Sequence, residues 1–563
     1  MKNEDTFKLE ALVDFPDDAL STSQVLTPTH IDKLMAKLVD LGVRRVSWGY
    51  YGDGHGGWLM PTQSKDYANG WQRCADTYRL LENPLRVAVE AGHKYGLEVY
   101  AYYKPYETGA GILFPDGSPQ AKEMGLLPHT GGQLVWMEPF VKNNPTLRIK
   151  RREDVSPEML TASVSTIRLI KQDALPTRIT KEHLQIWTSS DNWCYEEIKV
   201  DFSLSESIEQ ASHDVRDEEG KLLTRQGEDI RVLTLSGLDI KDKHLLVTTD
   251  FISGTADFSN SGTAIMTAHN ADGHEIPGVF ATGATVWAAN LVNFREGGLT
   301  FDYCWGAKRI TLDEPNTSGK LGLIAFTRGR NQYLPGSLCE TEPKVQDFWM
   351  SCLEEMIDAG VDGVDFREES HSSHTDTVHD YGFNDVILEQ CGDLQGEELC
   401  AKISEIRGNA YTEFLRKCKA RLTTCGMRMR YNLQLDFFRP DPPTARLAAY
   451  PANMHFDWQR WLDEGLMDEA ILRFYHFPFE FVFEDSVSAK MIERCEQRGI
   501  PIVLNRYVNN AGAQLPQEVE RIYKDQRFSG FILYETSNFI QFDAAGDCTM
   551  IMPIVQEAVK KIT

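Results

Sequence analysis

The chain has 563 residues and carries 83 Asp plus Glu against 58 Lys plus Arg, which gives a formal net charge of −25. Its hydrophobic content of 42% and charged content of 25% are those of an ordinary globular protein, so extensive disorder is excluded. A surface this acidic repels phosphate groups, so the sequence predicts neither a nucleic-acid partner nor a membrane partner.

The 11 cysteines include no Cys-x-x-Cys pair, which excludes the common zinc-ribbon and thioredoxin motifs. The N-terminus has no apolar signal-peptide core, and no segment has about 18 uninterrupted apolar residues, the length that a membrane-spanning helix needs. We expect a cytoplasmic location from the sequence as it stands, and a periplasmic or secreted one if a signal peptide was removed. The oligomeric state stays open, a homo-oligomer included.

The predicted elements follow one repeating order along the chain. A helix that Thr27 or Thr29 can cap ends at Gly42, and an apolar strand and a glycine-rich polar loop follow it. The same order of helix, glycine, strand and polar loop recurs, which is typical of parallel strands joined by crossover helices. Seven strands are predicted in this way: 43–50, 97–103, 361–366, 427–435, 470–475, 500–504 and 528–533.

An eighth strand is predicted at 321–326, ahead of a helix at 345–359. Eight such strands close a (β/α)8 barrel, the TIM-barrel fold of the α/β class. The alternative is an open doubly wound sheet, which is disfavoured because no G-x-G-x-x-G motif follows the first strand.

The segment at 150–318 has a different pattern. Short alternating runs separated by Gly, Asn and Asp turns predict an inserted β-rich accessory domain of the sandwich type. The chain therefore divides into a first part of the barrel at 1–149 with strands one and two, the insertion at 150–318, and the remainder of the barrel at 319–563 with strands three to eight.

Catalytic residues of such a barrel lie at the carboxyl ends of the strands. Asp365 lies within a buried strand, where an unpaired carboxylate is costly, so it is either a nucleophile at the barrel mouth or part of a structural ion pair beneath it. Cleavage of a glycosidic bond needs two carboxyl groups. The candidate partners of Asp365 are Glu368, Asp436 and Glu535.

Aromatic, amide and charged side chains at the same strand ends suit a sugar, because aromatic faces stack on sugar rings and carboxylates and amides bind hydroxyl groups. In each Tyr-Tyr pair, one ring is expected to face the mouth and the other a helix. The arginines predict an anionic glycan. The candidate substrate-binding residues are Trp48, Tyr50, Asp53, His55, Trp58, Tyr102, Tyr103, Lys104, Glu107, Arg367, His371, Asn432, Gln434, Arg439, Arg473, Tyr475, His476, Asn505, Arg506 and Tyr534.

Three histidines and an aspartate follow Asp365 in one polar loop, at a spacing that matches no well-established metal motif. No cofactor is therefore expected, although these side chains are able to bind zinc or a similar divalent metal ion. The weak metal candidates are His371, His374, Asp376 and His379.

Segments 42–52, 360–367 and 380–384 resemble bacterial barrel proteins of glycoside-hydrolase-like family ten. The resemblance covers about 1–145 and 320–563, and it implies a role in carbohydrate metabolism and polysaccharide degradation. The chain lacks the Asn-Glu after strand four and the Glu after strand seven that cellulases and xylanases carry. Their catalytic residues therefore cannot be transferred to it.

The predicted function is cleavage of glycosidic bonds in a complex, anionic glycan or oligosaccharide by paired carboxyl groups. One alternative is a metal-dependent lyase or hydrolase that uses the histidine-rich loop. Another is a barrel that binds sugar without catalysis.

Overall fold

The computed structural model describes most of the chain, and no helix within the described part is long and apolar enough to span a membrane. The described ranges are 7–56, 70–110, 136–171, 173–190, 195–216, 222–249, 264–282, 321–329, 332–368, 378–434, 453–473 and 478–562.

Eight parallel strands form a closed barrel: β1 (Lys8–Val13), β2 (Arg45–Gly49), β3 (Glu98–Tyr103), β4 (Gly363–Phe366), β5 (Arg428–Gln434), β6 (Glu469–Arg473), β7 (Ile502–Tyr507) and β8 (Phe528–Tyr534). β1 pairs with β2 on one side and with β8 on the other, so the first strand closes the ring against the last. The predicted TIM-barrel fold is confirmed.

Helices connect the barrel strands and cover their outer faces. In the helix Ser486–Arg498, the Asp485 carboxylate accepts hydrogen bonds from the backbone N–H groups of Val487 and Ser488, and Gly499 ends the helix at a φ of 65°. The helices of at least six residues between and after the barrel strands are Phe15–Ser21, Pro28–Asp40, Gly70–Leu81, Pro84–Lys94, Pro343–Asp358, Asp385–Cys391, Gly396–Thr424, Trp458–Asp463, Ser486–Arg498, Leu515–Lys524 and Ile554–Val559.

The prediction of a barrel strand at 321–326 is wrong. The strand Leu321–Arg328 pairs antiparallel with His244–Thr249 and with Gly278–Thr282, outside the barrel. The barrel strand that the sequence analysis did not predict is β1. Its inward-facing side chains include the charged Lys8 and Glu10, so β1 lacks the continuous apolar run by which a buried strand is predicted.

Two five-stranded antiparallel sheets lie between β3 and β4 in the part of this region that the structure describes. Side chains from both sheets, among them Ile167, Leu235, Val247 and Ile324, form one hydrophobic cluster. One sheet has the order Ser203–Gln210, Asp229–Ile240, Val164–Lys171, Ala264–His269 and Glu275–Ile276; the other has the order Gly278–Thr282, Leu321–Arg328, His244–Thr249, Leu184–Ser189 and Glu196–Glu197.

Buried ion pairs fill the inside of the barrel. Arg45 Nη1 lies 3.0 Å from Glu10 Oε1 and 2.7 Å from Glu469 Oε2. Arg430 Nη1 lies 2.8 Å from Glu10 Oε2, and its Nε lies 3.2 Å from Glu469 Oε2. Both guanidinium groups also contact the ring of Tyr100, at 4.5 Å and 5.1 Å from its centroid. We call Glu10, Arg45, Arg430 and Glu469, together with Asp365, the barrel ion network.

Asp365 is the carboxyl group that β4 contributes to the barrel ion network. Arg430 Nε lies 3.0 Å from its Oδ1, and the Ser47 hydroxyl donates a hydrogen bond to its Oδ2. Asp365 shares the Arg430 guanidinium with Glu10 and Glu469, and its side chain has almost no access to water. Burial raises the pKa of Asp365 to about 6, against the opposing effects of Arg430 and Ser47. The structure therefore places Asp365 in an ion network beneath the barrel mouth.

An apolar layer separates this network from the carboxyl ends of the strands. Leu12 and Ile471 each lie two residues beyond a glutamate of the network, one step nearer the mouth. They pack with Val503 and Ile532 and with the rings of Tyr102 and Tyr534. The charges beneath the mouth are thus separated in space from those within it.

Replacing Asp365 with Asn is expected to raise the free energy of unfolding at neutral pH. The pKa of Asp365 is raised from 3.8 to about 6 on folding, so the wild type loses up to roughly 3 kcal/mol as the pH rises from about 4 to about 7. Asparagine carries no such charge. Denaturant unfolding at about pH 5 and about pH 7.5 measures the difference between the two proteins.

The matched control is Asp362→Asn, at the other end of the same strand. Its carboxylate accepts the backbone N–H of Val99 at 2.7 Å and lies 3.0 Å from His93 Nε2, so its replacement is expected to weaken the fold slightly. An Asp365→Asn variant that depends on pH as steeply as the wild type would contradict the assignment.

Candidate active site at the barrel mouth

The barrel mouth is formed by the inward-facing side chains at the carboxyl ends of the strands. Alternation along each strand sets which side chains face inward. The following residues of the mouth are all buried to at least nine-tenths: Asp14 and Asp18 after β1, Tyr51 after β2, Tyr102 on β3, Lys104 and Glu107 after it, Arg367 after β4, Asn432 on β5, Arg473 on β6, Asn505 on β7, Tyr534 on β8 and Glu535 after it.

Two arginines converge on the Tyr102 hydroxyl at the floor of the mouth. Arg473 Nη1 donates a hydrogen bond to this oxygen at 3.1 Å, and Arg367 Nη1 donates another. The Arg473 guanidinium lies 4.6 Å from the centroid of the Tyr534 ring. Burial and the charge of Arg473 act to lower the pKa of Arg367, but Tyr102 and Tyr534 outweigh them and the pKa is raised. Arg367 therefore stays positively charged.

Lys104 holds two carboxylates on the adjoining side of the mouth. Its Nζ lies 2.9 Å from Glu107 Oε2 and 3.4 Å from Asp14 Oδ2. It also donates to the Tyr51 hydroxyl at 2.5 Å, which in turn donates to Asp14 Oδ1. Burial acts to lower the pKa of Lys104, but Asp14 and Glu107 outweigh it and raise the pKa. The group is a buried cation with two buried anions.

Asp18 and Glu535 form a pair of interacting carboxyl groups where the loops after β1 and β8 meet. Asp18 is 3% exposed. Burial, and then the charge of Glu535, raise the pKa of Asp18 well above its usual range. Asn538 Nδ2 donates to Glu535 Oε2 at 3.3 Å.

The Thr536 hydroxyl contacts both Asp18 and the backbone of β1. Its oxygen lies 3.1 Å from the carbonyl oxygen of Leu12 and 3.2 Å from Asp18 Oδ2, and it can donate its one proton to either acceptor. Donation to Asp18 acts to lower the pKa of that carboxyl group, but burial and the charge of Glu535 outweigh it. The geometry thus places a carboxyl group with a raised pKa beside a second carboxyl group.

Two amide side chains line the remaining part of the mouth. Asn432 Nδ2 donates to the carbonyl oxygen of Phe366 at 3.1 Å. Asn432 Oδ1 and both polar atoms of Asn505 are buried without a hydrogen-bond partner among the described residues. Gln434, also predicted to bind substrate, is the last residue of β5.

Three aromatic residues predicted to bind substrate face the helices instead, and for them the prediction is corrected. Trp48, Tyr50 and Tyr103 belong to the core between the barrel and its helices. The Tyr50 hydroxyl donates to Glu355 on the helix Pro343–Asp358. Tyr51 and Tyr102 face inward, so one ring of each Tyr-Tyr pair faces each side, as expected from strand alternation.

Asp53 and His55, also predicted to bind substrate, instead stabilise the loop after β2 through hydrogen bonds and ion pairs. Asp53 accepts the backbone N–H groups of Tyr51 at 3.0 Å and Leu85 at 2.9 Å, and burial raises its pKa to about 7. His55 lies between Glu138, at 2.6 Å, and Glu355, at 2.9 Å. Burial opposes its charge, but these two glutamates raise the pKa of His55 to about 10.

Arg506 and Glu368 lie outside the mouth, which corrects two further assignments. Arg506 faces the helix Leu515–Lys524, where its Nε and Nη2 donate to Glu518 at 2.8 Å and 3.0 Å. Glu368 is fully buried near Tyr431, whose ring packs against the helices. Burial raises the pKa of Glu368 to about 7.

Several predicted site residues lie outside the described residues: Trp58, His371, His374, Asp376, Asp436, Arg439, Tyr475 and His476. His379 lies in the short 3-10 helix Val378–Asp380, and its carbonyl oxygen accepts a hydrogen bond from Cys400 Sγ. Within the described ranges, no group of three or more His, Cys, Asp or Glu side chains can hold a metal ion.

Sequence reasoning missed Asp14 and Asp18. They were missed because β1 was not predicted, so no strand end was expected there. The available signal was the alternating run at 8–13 directly followed by Asp-Phe-Pro-Asp-Asp, a strand with a carboxylate-rich end.

No protein-family model and no curated protein matches the chain. Among solved structures, the catalytic domain of β-amylase from Paenibacillus polymyxa is similar over 99% of each chain, with 8% identity and a TM-score of 0.37. A mutant isomaltulose synthase from Erwinia rhapontici NX5, in complex with sucrose, is similar over 100% of this chain and 73% of its own, with 8% identity and a TM-score of 0.37.

The isomaltulose synthase from Klebsiella sp. LX3 is similar over 94% of this chain and 65% of its own, with 9% identity and a TM-score of 0.36. Likeness at this level carries no information on substrate or reaction. The fold of the present chain is established by its own strand pairing.

Replacing Lys104 with Met is expected to lower the free energy of unfolding by about 3–5 kcal/mol at neutral pH, because it leaves two buried carboxylates without their cation. Denaturant unfolding at neutral pH measures this loss.

The control is Lys490→Met, at an exposed position of the helix Ser486–Arg498, which is expected to change stability by less than about 0.5 kcal/mol. Equal stability of Lys104→Met and wild type at neutral pH would show that Lys104 does not hold this group together.

Proposed function

We propose that the protein is a glycoside hydrolase that cleaves glycosidic bonds in a complex glycan. One observation carries the proposal: where the segments after β1 and β8 meet, Asp18 is buried, and the neighbouring Glu535 adds to burial in raising the pKa of Asp18 well above its usual range. A pair of carboxyl groups whose environments separate their protonation states is what acid-base cleavage of a glycosidic bond requires.

The two carboxyl groups take different roles. Asp18 gives its proton to the glycosidic oxygen as the bond to the anomeric carbon breaks. Glu535 either attacks the anomeric carbon or takes a proton from the water that attacks it. Water completes the reaction in both cases, and Asp18 regains its proton.

The surrounding side chains support a sugar as the substrate. Tyr51 and Tyr102 bring aromatic groups to the mouth, and Asn432 and Asn505 bring amides that can bind hydroxyl groups. The resemblance of the barrel segments to glycoside-hydrolase-like family ten points in the same direction. The location at the carboxyl ends of the strands is where barrels of this class place their chemistry.

The decisive experiment compares Asp18→Asn and Glu535→Gln on a panel of polysaccharides and on aryl glycosides. Loss of the acid is expected to slow cleavage of natural glycans by about 100- to 10,000-fold. The same Asp18→Asn variant is expected to lose far less activity on aryl glycosides than on natural glycans, because aryl leaving groups depart without a proton. Loss of Glu535 is expected to slow both substrates to a similar extent.

The matched control is Asp17→Asn, one residue from Asp18 on the same helix turn, which is expected to keep the wild-type rates. The basic limb of the pH profile is expected to disappear in Asp18→Asn, because that limb reports the raised pKa of Asp18. Unchanged turnover in Glu535→Gln would refute this mechanism.

Two other outcomes would identify the alternative functions. A wild type that binds glycans tightly and cleaves none would be a sugar-binding barrel. A wild type whose activity disappears with a chelator and returns with a divalent metal ion would be the metal-dependent enzyme.

A further inference from the structure

Among the described residues of the barrel mouth, the charges are divided between its two halves. The carboxyl groups come from β8, β1 and the loop after β3, as Glu535, Asp18, Asp14 and Glu107. The four consecutive strands β4 to β7 contribute no carboxylate to the described part of the mouth. They contribute two guanidinium groups and two amides instead: Arg367, Asn432, Arg473 and Asn505.

The two arginines hold like charges close together. Both donate to the one Tyr102 oxygen, so their guanidinium groups lie within a few ångströms of each other in a buried place. Like charges repel strongly where water is excluded. A guanidinium group suits carboxylate and sulfate oxygens in particular, and two of them side by side offer several donors to one anion.

Asn505 points to a ligand at the same place. It lies directly opposite Arg473 in the pairing of β6 with β7, on the inward face that it shares with Val503. Its side chain is 1% exposed, and neither of its polar atoms has a hydrogen-bond partner among the described residues. A buried amide in this state is unfavourable unless a ligand supplies the missing hydrogen bonds.

We propose that Arg367, Arg473 and Asn505 form a subsite for an anionic substituent of the glycan, a carboxylate or a sulfate ester. This inference rests on the proposed function and names its substrate class. The arginines bind the anionic oxygens, and the Asn505 N–H group donates to a third oxygen or to a neighbouring hydroxyl. The anion lies on the β4–β7 half of the mouth, so the scissile bond faces the carboxyl groups on the other half.

The test uses three sugars with one ring: glucuronate, glucose 6-sulfate and glucose. Calorimetry with the full chain at low salt is expected to show at least one charged sugar binding about tenfold or more tightly than glucose, with the preference falling as salt is added. The stronger of the two charged sugars identifies the carboxylate or the sulfate as the natural group. Equal binding of all three sugars would overturn the subsite.

Asn505→Asp places a negative charge in the subsite and is expected to abolish the preference for the charged sugars while binding of glucose is kept. Arg473→Lys keeps the charge but loses the planar fork, so the preference is expected to fall several-fold. Asn510→Asp adds the same charge at an exposed position near the end of β7 and is expected to leave the preference unchanged. An Asn505→Asp variant that binds charged sugars as the wild type does would also overturn the subsite.

Binding and turnover separate this proposal from the proposed function. The Glu535→Gln variant is expected to keep the preference for charged sugars, since Glu535 lies on the other half of the mouth. A preference without any glycan cleavage would leave the subsite standing and refute the hydrolase. Cleavage of neutral glycans without a preference would leave the hydrolase standing and refute the subsite.

Discussion

The ion pairs of Glu10 are the interaction on which the rest of the structure depends. One carboxylate oxygen lies 3.0 Å from Arg45 on β2, and the other lies 2.8 Å from Arg430 on β5, on the far side of the barrel. Removing either partner would leave a charge that cannot reach water, which is far more costly than the pair itself. Glu10 therefore sets the register of β1, and β1 in turn closes the ring between β2 and β8. The same register brings Asp14 and the Asp18 helix to the mouth.

The inside of the barrel is layered, and each layer has a separate task. The barrel ion network joins strands from opposite sides of the barrel, the apolar layer around Leu12 and Ile471 excludes water, and the mouth carries the candidate catalytic groups. The pKa of Asp365 responds to charged groups of the network, and the pKa of Asp18 responds to Glu535 and Asp14. The two carboxyl groups therefore have different charged neighbours.

Seven of the eight barrel strands were predictable because their apolar residues and preceding helices repeat along the chain. β1 was not, because its inner face is charged, and a strand buried by ion pairs has no apolar signature. The ends of these seven strands were also predictable, and they led to the prediction that Tyr102, Lys104, Arg367, Arg473 and Glu535 lie at the barrel mouth. It was harder to predict which side chain at each strand end faces the mouth, because successive residues of a strand point to opposite faces. Tyr102 and Asn505 face the mouth, whereas their neighbours Tyr103 and Arg506 face the helices. The pairing of Asp18 with Glu535 was beyond sequence reasoning, because only the closure of the barrel brings together two residues at opposite ends of the chain.

That closure has a consequence for how the protein is made. A ribosome releases the Asp18 helix early, but the strand that precedes this helix has no partner on one side until β8 has been synthesised. The insertion between β3 and β4 lengthens the wait further. Until synthesis passes residue 535, the nascent chain exposes an unpaired strand edge and lacks Glu535, the neighbour of Asp18 at the mouth. The proposed hydrolase would therefore become active in a single late step, only once the barrel is complete.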